Sequence, residues 1–250
     1  MSDARQPERP IRLACWSGPR NISTAMMRSW ASRPDGAVTD EPLYAHYLTT
    51  LAPAKREEHP GWADVLESQP TDWREVVAAL TGPVPGGQPI WYQKHMAHHL
   101  TDQMETGWLS ELRHVLLVRE PADMITSFIK VMPNPTPEDL GLPQQVRLLK
   151  TIERETGTRP IVLDSREILI NPRRGLTRMC EHVGVPFDEA MLTWPPGPRP
   201  EDGVWAPHWY ASVERSTGFA PYTPKNEPVP DRLAGVLADC EELYQELVSA

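Results

Sequence analysis

Along this chain, short runs of β-branched and aromatic residues alternate with longer stretches in which apolar residues return every three or four positions. The runs Ile11–Trp16, Ala37–Thr39, Pro89–Gln93, His114–Val118 and Pro160–Leu163 have strand character. Between them, helical spacing marks Ser23–Arg33, Asp72–Leu80, Gln103–Leu112, Ala122–Val131, Pro143–Glu155 and Arg173–Val183. In the last of these, Leu176, Met179, Cys180 and Val183 form one buried face. The segment from Arg232 to Val248 repeats that pattern with Leu233, Val236, Leu237, Cys240, Leu243, Tyr244 and Leu247. It predicts a helix that docks on the core, with a homodimer face as the alternative. Strands alternating with helices imply parallel crossovers, hence a three-layer α/β/α fold around a central, mostly parallel sheet.

Composition narrows this picture. At 250 residues and 40% hydrophobic, the chain can fill one substantial core, so residues 11–250 are expected to form a single domain. Residues 1–10 are polar and proline-containing, a flexible terminus without the apolar core of a signal peptide. No run is long enough to span a bilayer. Three widely separated cysteines in apolar patterns (Cys15, Cys180, Cys240) read as reduced core residues of a cytoplasmic protein. The net charge of −9 excludes broad nucleic-acid binding but not a small anion held by a few local cations. Prolines gather in Pro133–Pro137, Pro195–Pro200 and Pro221–Pro230, which predicts long excursions over the core.

In parallel sheets, ligands bind beyond the carboxyl ends of the strands. Those positions are Ser17–Thr24, Asp40-Glu41, Lys94-His95, Arg119-Glu120 and Asp164–Glu167, and charge recurs among them. After the first strand, Ser17-Gly18-Pro19 leads directly into a helix. Its unpaired N–H groups and dipole favour an anion, to which Arg20 adds a cation and Ser23 and Thr24 add hydroxyls; the plainer alternative is an ordinary βα turn with a surface arginine. After the fourth strand, Arg119 precedes Pro121 at a helix start, and Ser127 follows two turns later. A guanidinium and a hydroxyl so spaced can hold a second phosphate. The plainer alternative pairs Arg119 with Glu120 or Asp123.

Together these two segments resemble the sulfotransferase family that uses 3′-phosphoadenosine-5′-phosphosulfate (PAPS). The first matching segment is Pro19-Arg20-Asn21-Ile22-Ser23-Thr24, and the second is Arg119 with Ser127 eight residues on. Asn21-Ile22 stands where the family carries a small Ser-Gly pair. The Walker pattern Gly-x4-Gly-Lys-(Ser/Thr) is absent. Arg199 to Trp209 is similar to the basic, Gly- and Trp-containing loop that covers the cofactor. The resemblance implies a P-loop NTPase-like fold and transfer of a sulfuryl group from PAPS to a hydroxyl, or an amine, of a small molecule, leaving 3′-phosphoadenosine-5′-phosphate (PAP). No metal is implied. Pro19, Arg20, Asn21, Ile22, Ser23, Thr24, Arg119, Ser127, Arg199 and Trp205 would bind the cofactor, and Arg20 would stabilise the leaving nucleotide. An ATP-dependent phosphotransferase and a non-catalytic nucleotide-binding member of the fold are the alternatives.

Two residues stand as candidate general base, which must reach the acceptor hydroxyl. Glu41 follows the second strand, where it could instead serve a helix beginning near Pro42. His95 follows the third, near Lys94, His98 and His99. Lys94 could contact the transferring oxygens, while His98 and His99 read as structural or surface residues. Trp205, His208, Trp209 and Tyr210 form an aromatic group that either lines the site or packs beneath a loop. Acceptor choice is expected to reside in Ala52–Pro70, Met132–Pro143 and Trp194–Pro230.

Overall fold

A computed structural model describes residues 9–224 and 227–249; most of the expected flexible terminus therefore lies outside the described residues. All five expected strands form: β1 (Ile11–Ser17), β2 (Gly36–Asp40), β3 (Ile90–Met96), β4 (Arg113–Val118) and β5 (Ile161–Asp164). They pair in parallel in the order β2-β3-β1-β4-β5. Both faces of such a sheet are covered, so its central strands are apolar on both sides.

The period of two sorts residues between the layers. Leu13 and Cys15 of β1 face a core shared with Met26, Met27 and Trp30 of α1 (Ser23–Ala31). Ala14 and Trp16 face the opposite core. Between β2 and β3 run α2 (Tyr44–Thr50), α3 (Pro53–Glu57), α4 (Trp62–Ser68) and α5 (Trp73–Thr81). Beyond β4 come α6 (Pro121–Phe128), α7 (Pro137–Leu140) and α8 (Leu142–Thr156). After β5, α9 (Ser165–Ile170) and α10 (Pro172–Val183) join the α1 layer through Ile168, Leu176 and Met179. A short α11 (Ala206–Trp209) precedes α12 (Ala234–Val248), which packs with α8 and α6 through Cys240, Tyr244 and Leu247. The three-layer reading is correct. The three cysteines are buried, unpaired and distributed over β1, α10 and α12. No described helix is long and apolar enough to cross a membrane.

Two expectations are corrected. Over Gln103–Leu112 only a 3-10 turn, Gly107–Glu111, forms. Met104, Trp108, Leu109 and Leu112 are buried there, so the apolar spacing is real, but Thr106 and Gly107 are poor α-helix formers. The third strand also extends to Met96, because β1 and β2 pair with it on both sides through Lys94. Lys94 and His95 consequently lie inside the sheet and point to opposite faces.

The turn after β1 is wedged against the α7–α8 junction. A β-carbon on Gly18 would stand 2.3 Å from the Leu140 carbonyl oxygen, so only glycine permits this approach. Gly18→Ala is expected to cost about 1–3 kcal/mol through this overlap, read as a lowered urea midpoint.

Candidate active site

A cavity of about 320 Å³ opens at the carboxyl edge of the sheet. Residues following β1 and β4, with Glu41 beyond β2 and Lys94 near the end of β3, line it; the Asp164–Glu167 set after β5 does not reach it. Two of its residues, Arg20 (φ +56°) and Glu41 (φ +39°), are the only described non-glycine residues with left-handed backbone. Such a conformation is disfavoured for side chains of this size and tends to be kept where a site depends on it.

At one end of the cavity the two anion segments meet. Arg20 donates Nε to Ser127 Oγ at 3.1 Å and Nη1 to the Trp209 carbonyl at 3.4 Å. Arg119 donates to the Arg20 carbonyl and stands 3.6 Å from Asp123. Burial, then the neighbouring Arg119, pulls the Arg20 pKa down; burial also lowers that of Arg119, against the pull of Asp123. Two guanidiniums are thus crowded together in a partly dry site, with Asp123 and, more weakly, Asp164 acting on Arg119 and, among the described residues, no carboxylate paired with Arg20. Such an arrangement can hold an anion.

The loop itself is shaped by Asn21. Its Nδ2 donates to the Leu117 carbonyl at 3.0 Å, and its Oδ1 accepts the Ile22 N–H at 2.9 Å. Asn21 thereby pins the turn to β4 without the glycine that the resemblance would place there. Ile22, expected among the cofactor-binding residues, lines the cavity with its N–H already given to Asn21. The Ile22 side chain packs on the α1-side core. No side chain caps α1, so the N–H groups of its first turn remain available to an anion.

At the other side, Lys94 and Glu41 join a buried network. Lys94 Nζ donates to Asp40 Oδ1 (2.8 Å), Glu41 Oε1 (2.5 Å) and Tyr210 Oη (2.7 Å). Tyr210 in turn donates to Asp40 Oδ2 at 2.7 Å and accepts from Trp205 Nε1 at 3.0 Å. The Gly203 N–H also reaches Asp40 Oδ2, at 3.2 Å. Burial disfavours the Lys94 ammonium, but Asp40, Glu41 and Tyr210 overcome it and hold the pKa well above the usual lysine value. For Glu41, burial raises the carboxyl above its ordinary 4.5; Lys94 opposes this and Asp40 adds to it. Glu41 does not cap a helix: α2 starts at Tyr44, and no side chain caps it.

Several expected site residues lie elsewhere. His95 is corrected from candidate base to core residue. It stacks on Trp16 with ring centroids 4.2 Å apart, lines no part of the cavity, and burial lowers its pKa to about 3. Arg199 is also corrected: it lies outside the cavity, with Nη2 on the Pro195 carbonyl. Its loop is anchored one turn further on by Asp202, which pairs with buried Arg28 at 2.6 Å. Trp205, Trp209 and Tyr210 do line the cavity, and His208 does not. Residues that sequence reasoning assigned elsewhere or passed over complete the wall: Tyr44, Tyr47, His59, His98 and His99. Their signal, a Tyr-x-x-Tyr pair and a His-His pair, was present but unassignable without knowing that α2 faces the end of β3.

A family model described as a sulfotransferase domain matches residues 11–245. The chain belongs to the sulfotransferase family. Two curated Arabidopsis thaliana proteins resemble this chain, both named branched-chain-amino-acid aminotransferase-like. Protein 1 is 37% identical over 220 residues (88% of this chain, 38% of that protein). Protein 2 is 33% identical over 235 residues (94% and 41%). The chain thus spans about two-fifths of the length of these relatives. Among solved structures, the sulfotransferase domain of the Synechococcus PCC 7002 olefin synthase matches with a TM-score of 0.55 at 16% identity, covering 99% of this chain and 98% of that one. The sulfotransferase domain of the curacin biosynthetic pathway matches with a TM-score of 0.53 at 17% identity, covering 96% and 99%. At these identities the structures speak to the fold.

Removing the Lys94 cation would leave two carboxylates facing each other in a dry interior. Lys94→Met is expected to cost about 3–5 kcal/mol at neutral pH, measured by urea denaturation. The deficit should shrink as pH falls and the carboxylates take up protons.

Proposed function

We propose that the protein transfers a sulfuryl group from PAPS to the hydroxyl of a small molecule, with Glu41 as general base. The observation that carries this reading is the convergence of Arg20, Arg119 and Ser127 with the uncapped start of α1 in one cavity whose far side holds Glu41. A nucleotide with a phosphate at each end matches two anion-holding segments better than a single phosphate does. The bound donor would supply an activated sulfuryl group on a phosphate leaving group. In the transfer, the bond from sulfur to the phosphate oxygen breaks and one from sulfur to the acceptor oxygen forms. The acceptor proton passes to Glu41, and the electron pair of the broken bond leaves with PAP.

The residues divide this work. Arg119 and Ser127 are placed to hold the far phosphate, while Ser23 and Thr24 with their N–H groups hold the near one. Arg20, which touches Ser127 and lies at the head of α1, shares its charge with both and stabilises the leaving nucleotide. Lys94 keeps Glu41 fixed and tunes it: its ammonium favours the carboxylate form, while burial and Asp40 keep the carboxyl basic enough to accept a proton. The segment from Trp205 to Tyr210 closes over the cavity and limits water.

Calorimetry with PAP tests the donor assignment. PAP is expected to bind at least tenfold more tightly than ADP, and Arg119→Ala to remove most of that difference. A folded protein that ignores millimolar PAP, or that binds both nucleotides equally, overturns it. For the base, Glu41→Gln is expected to lower kcat by at least a hundredfold, in the range of a lost general base, with PAP affinity retained. Because Glu41 must be ionised to act and its carboxyl is raised, the acid limb of the kcat/KM profile should lie above pH 4.5. A profile flat down to that pH would exclude Glu41.

A further inference from the structure

Besides Glu41, the cavity is lined by Tyr44, Tyr47, His59, His98 and His99, which pack on one another as one compartment wall, and by Met132. We infer that this compartment takes an uncharged, largely apolar molecule bearing a hydroxyl, and rejects acceptors that carry a carboxylate or phosphate. The inference rests on the sulfuryl-transfer reading and adds the class of acceptor to it.

The walls are aromatic and closely stacked. The His99 ring lies 4.6 Å from that of Tyr44 and 4.8 Å from that of Tyr47, near-parallel to both. The His98 ring meets those of His99 and Tyr47 edge-on at 4.5 and 5.0 Å. Surfaces of this kind bind planar or apolar bodies through area and ring geometry.

Equally decisive is where positive charge is absent. Among the described residues, two cations come near this end, and both are engaged. Lys94 spends its three protons on Asp40, Glu41 and Tyr210. Lys55 holds Asp139 at 3.2 Å and Glu58 at 3.1 Å. The histidines do not substitute for them. Three imidazoles packed together and out of water resist protonation, since each added charge would be both desolvated and near the others. Burial brings His59 down to about 4 and His98 to about 3, and drives His99 well below its ordinary value. The charges that do face the compartment are the carboxylates of Glu41 and Asp139.

An anionic acceptor would therefore enter a dry site with no available counter-charge, beside carboxylates that already outnumber the two ammoniums holding them. Its alternative is to force a proton onto a histidine, and each pKa unit this must overcome weakens binding about tenfold. The guanidiniums of Arg20 and Arg119 stand toward the nucleotide, Arg20 on Ser127 and the Trp209 carbonyl and Arg119 beside Asp123. The cavity is thus polarised, cationic toward the nucleotide and neutral to anionic toward the acceptor. That polarity admits the bis-phosphorylated donor at one end only and turns the acceptor's hydroxyl, its one polar group, toward Glu41.

Pairs of similar size in which one member carries a carboxylate test this, titrated calorimetrically into the full chain with and without PAP. Suitable pairs are para-hydroxyphenylethanol with para-hydroxyphenylacetate, and hexanol with ω-hydroxyhexanoate. In each pair the uncharged member is expected to bind at least about 100-fold more tightly, the effect of two pKa units. Equal or tighter binding of the carboxylated members overturns the inference, as does failure of every uncharged member to bind at millimolar concentration. Loss of PAP binding would instead strike the donor assignment, and the pairwise preference would still be read without PAP. A cation placed in the wall supplies an independent arm. In a Met132→Lys protein that still binds PAP, the carboxylated members should gain at least tenfold, and no gain counts against the inference.

Discussion

The Lys94 ammonium can stay charged in the interior only while Asp40, Glu41 and Tyr210 remain around it. Those partners come from the end of β2, the turn that follows it, and the segment just after α11. One cation therefore ties the sheet edge, the candidate base and the covering segment into a single arrangement. Two carboxylates share it, so the cluster carries an excess of negative charge that Tyr210, Trp205 and the Gly203 N–H spread by hydrogen bonding. An isolated buried pair would contribute little to stability. Here the geometric consequence matters more: Glu41 has one place to be.

The two left-handed residues fit the same view. Arg20 and Glu41 follow β1 and β2, which flank β3 in the sheet, and each bends its backbone against its own preference. Each is restrained by a partner on another strand. Arg119 donates to the Arg20 carbonyl, while the Lys94 carbonyl accepts the Glu41 N–H. Strain at these two points is compatible with a stable domain because the restraints are distributed over β3 and β4, in the middle of the sheet.

The strands and layers were legible because apolar runs in a parallel sheet are hard to mistake, and a shared place for Arg119 and Ser127 on the cavity wall because both fall on one local segment. That Glu41 lines the cavity could be read for a general reason, its place just past a strand end. His95 was misjudged because β3 continues past Gln93, and one extra residue of strand reverses the face a side chain meets. The Lys94 network could not be read at all: its partners lie 54 and 116 residues away, and nothing local distinguishes a lysine that ends a strand in water from one enclosed by carboxylates. Helices α2 to α4 escaped for a different reason. They are short, interrupted by proline and partly exposed, so they carry no sustained period, although α2 supplies Tyr44 and Tyr47 to the site.

The three cysteines give the fold a property unrelated to its chemistry. Cys15 lies at the centre of the sheet, Cys180 in the layer beneath it and Cys240 in the layer above, and all three are fully shielded. Burial also holds their thiols up, to about 11, 11 and 12, so almost none is thiolate in the folded chain at neutral pH. Each layer thus carries a silent chemical reporter that becomes reactive only when that layer opens. The rates at which the three sulfurs are alkylated would separate partial loosening of an outer layer from loss of the whole sheet, without adding a label.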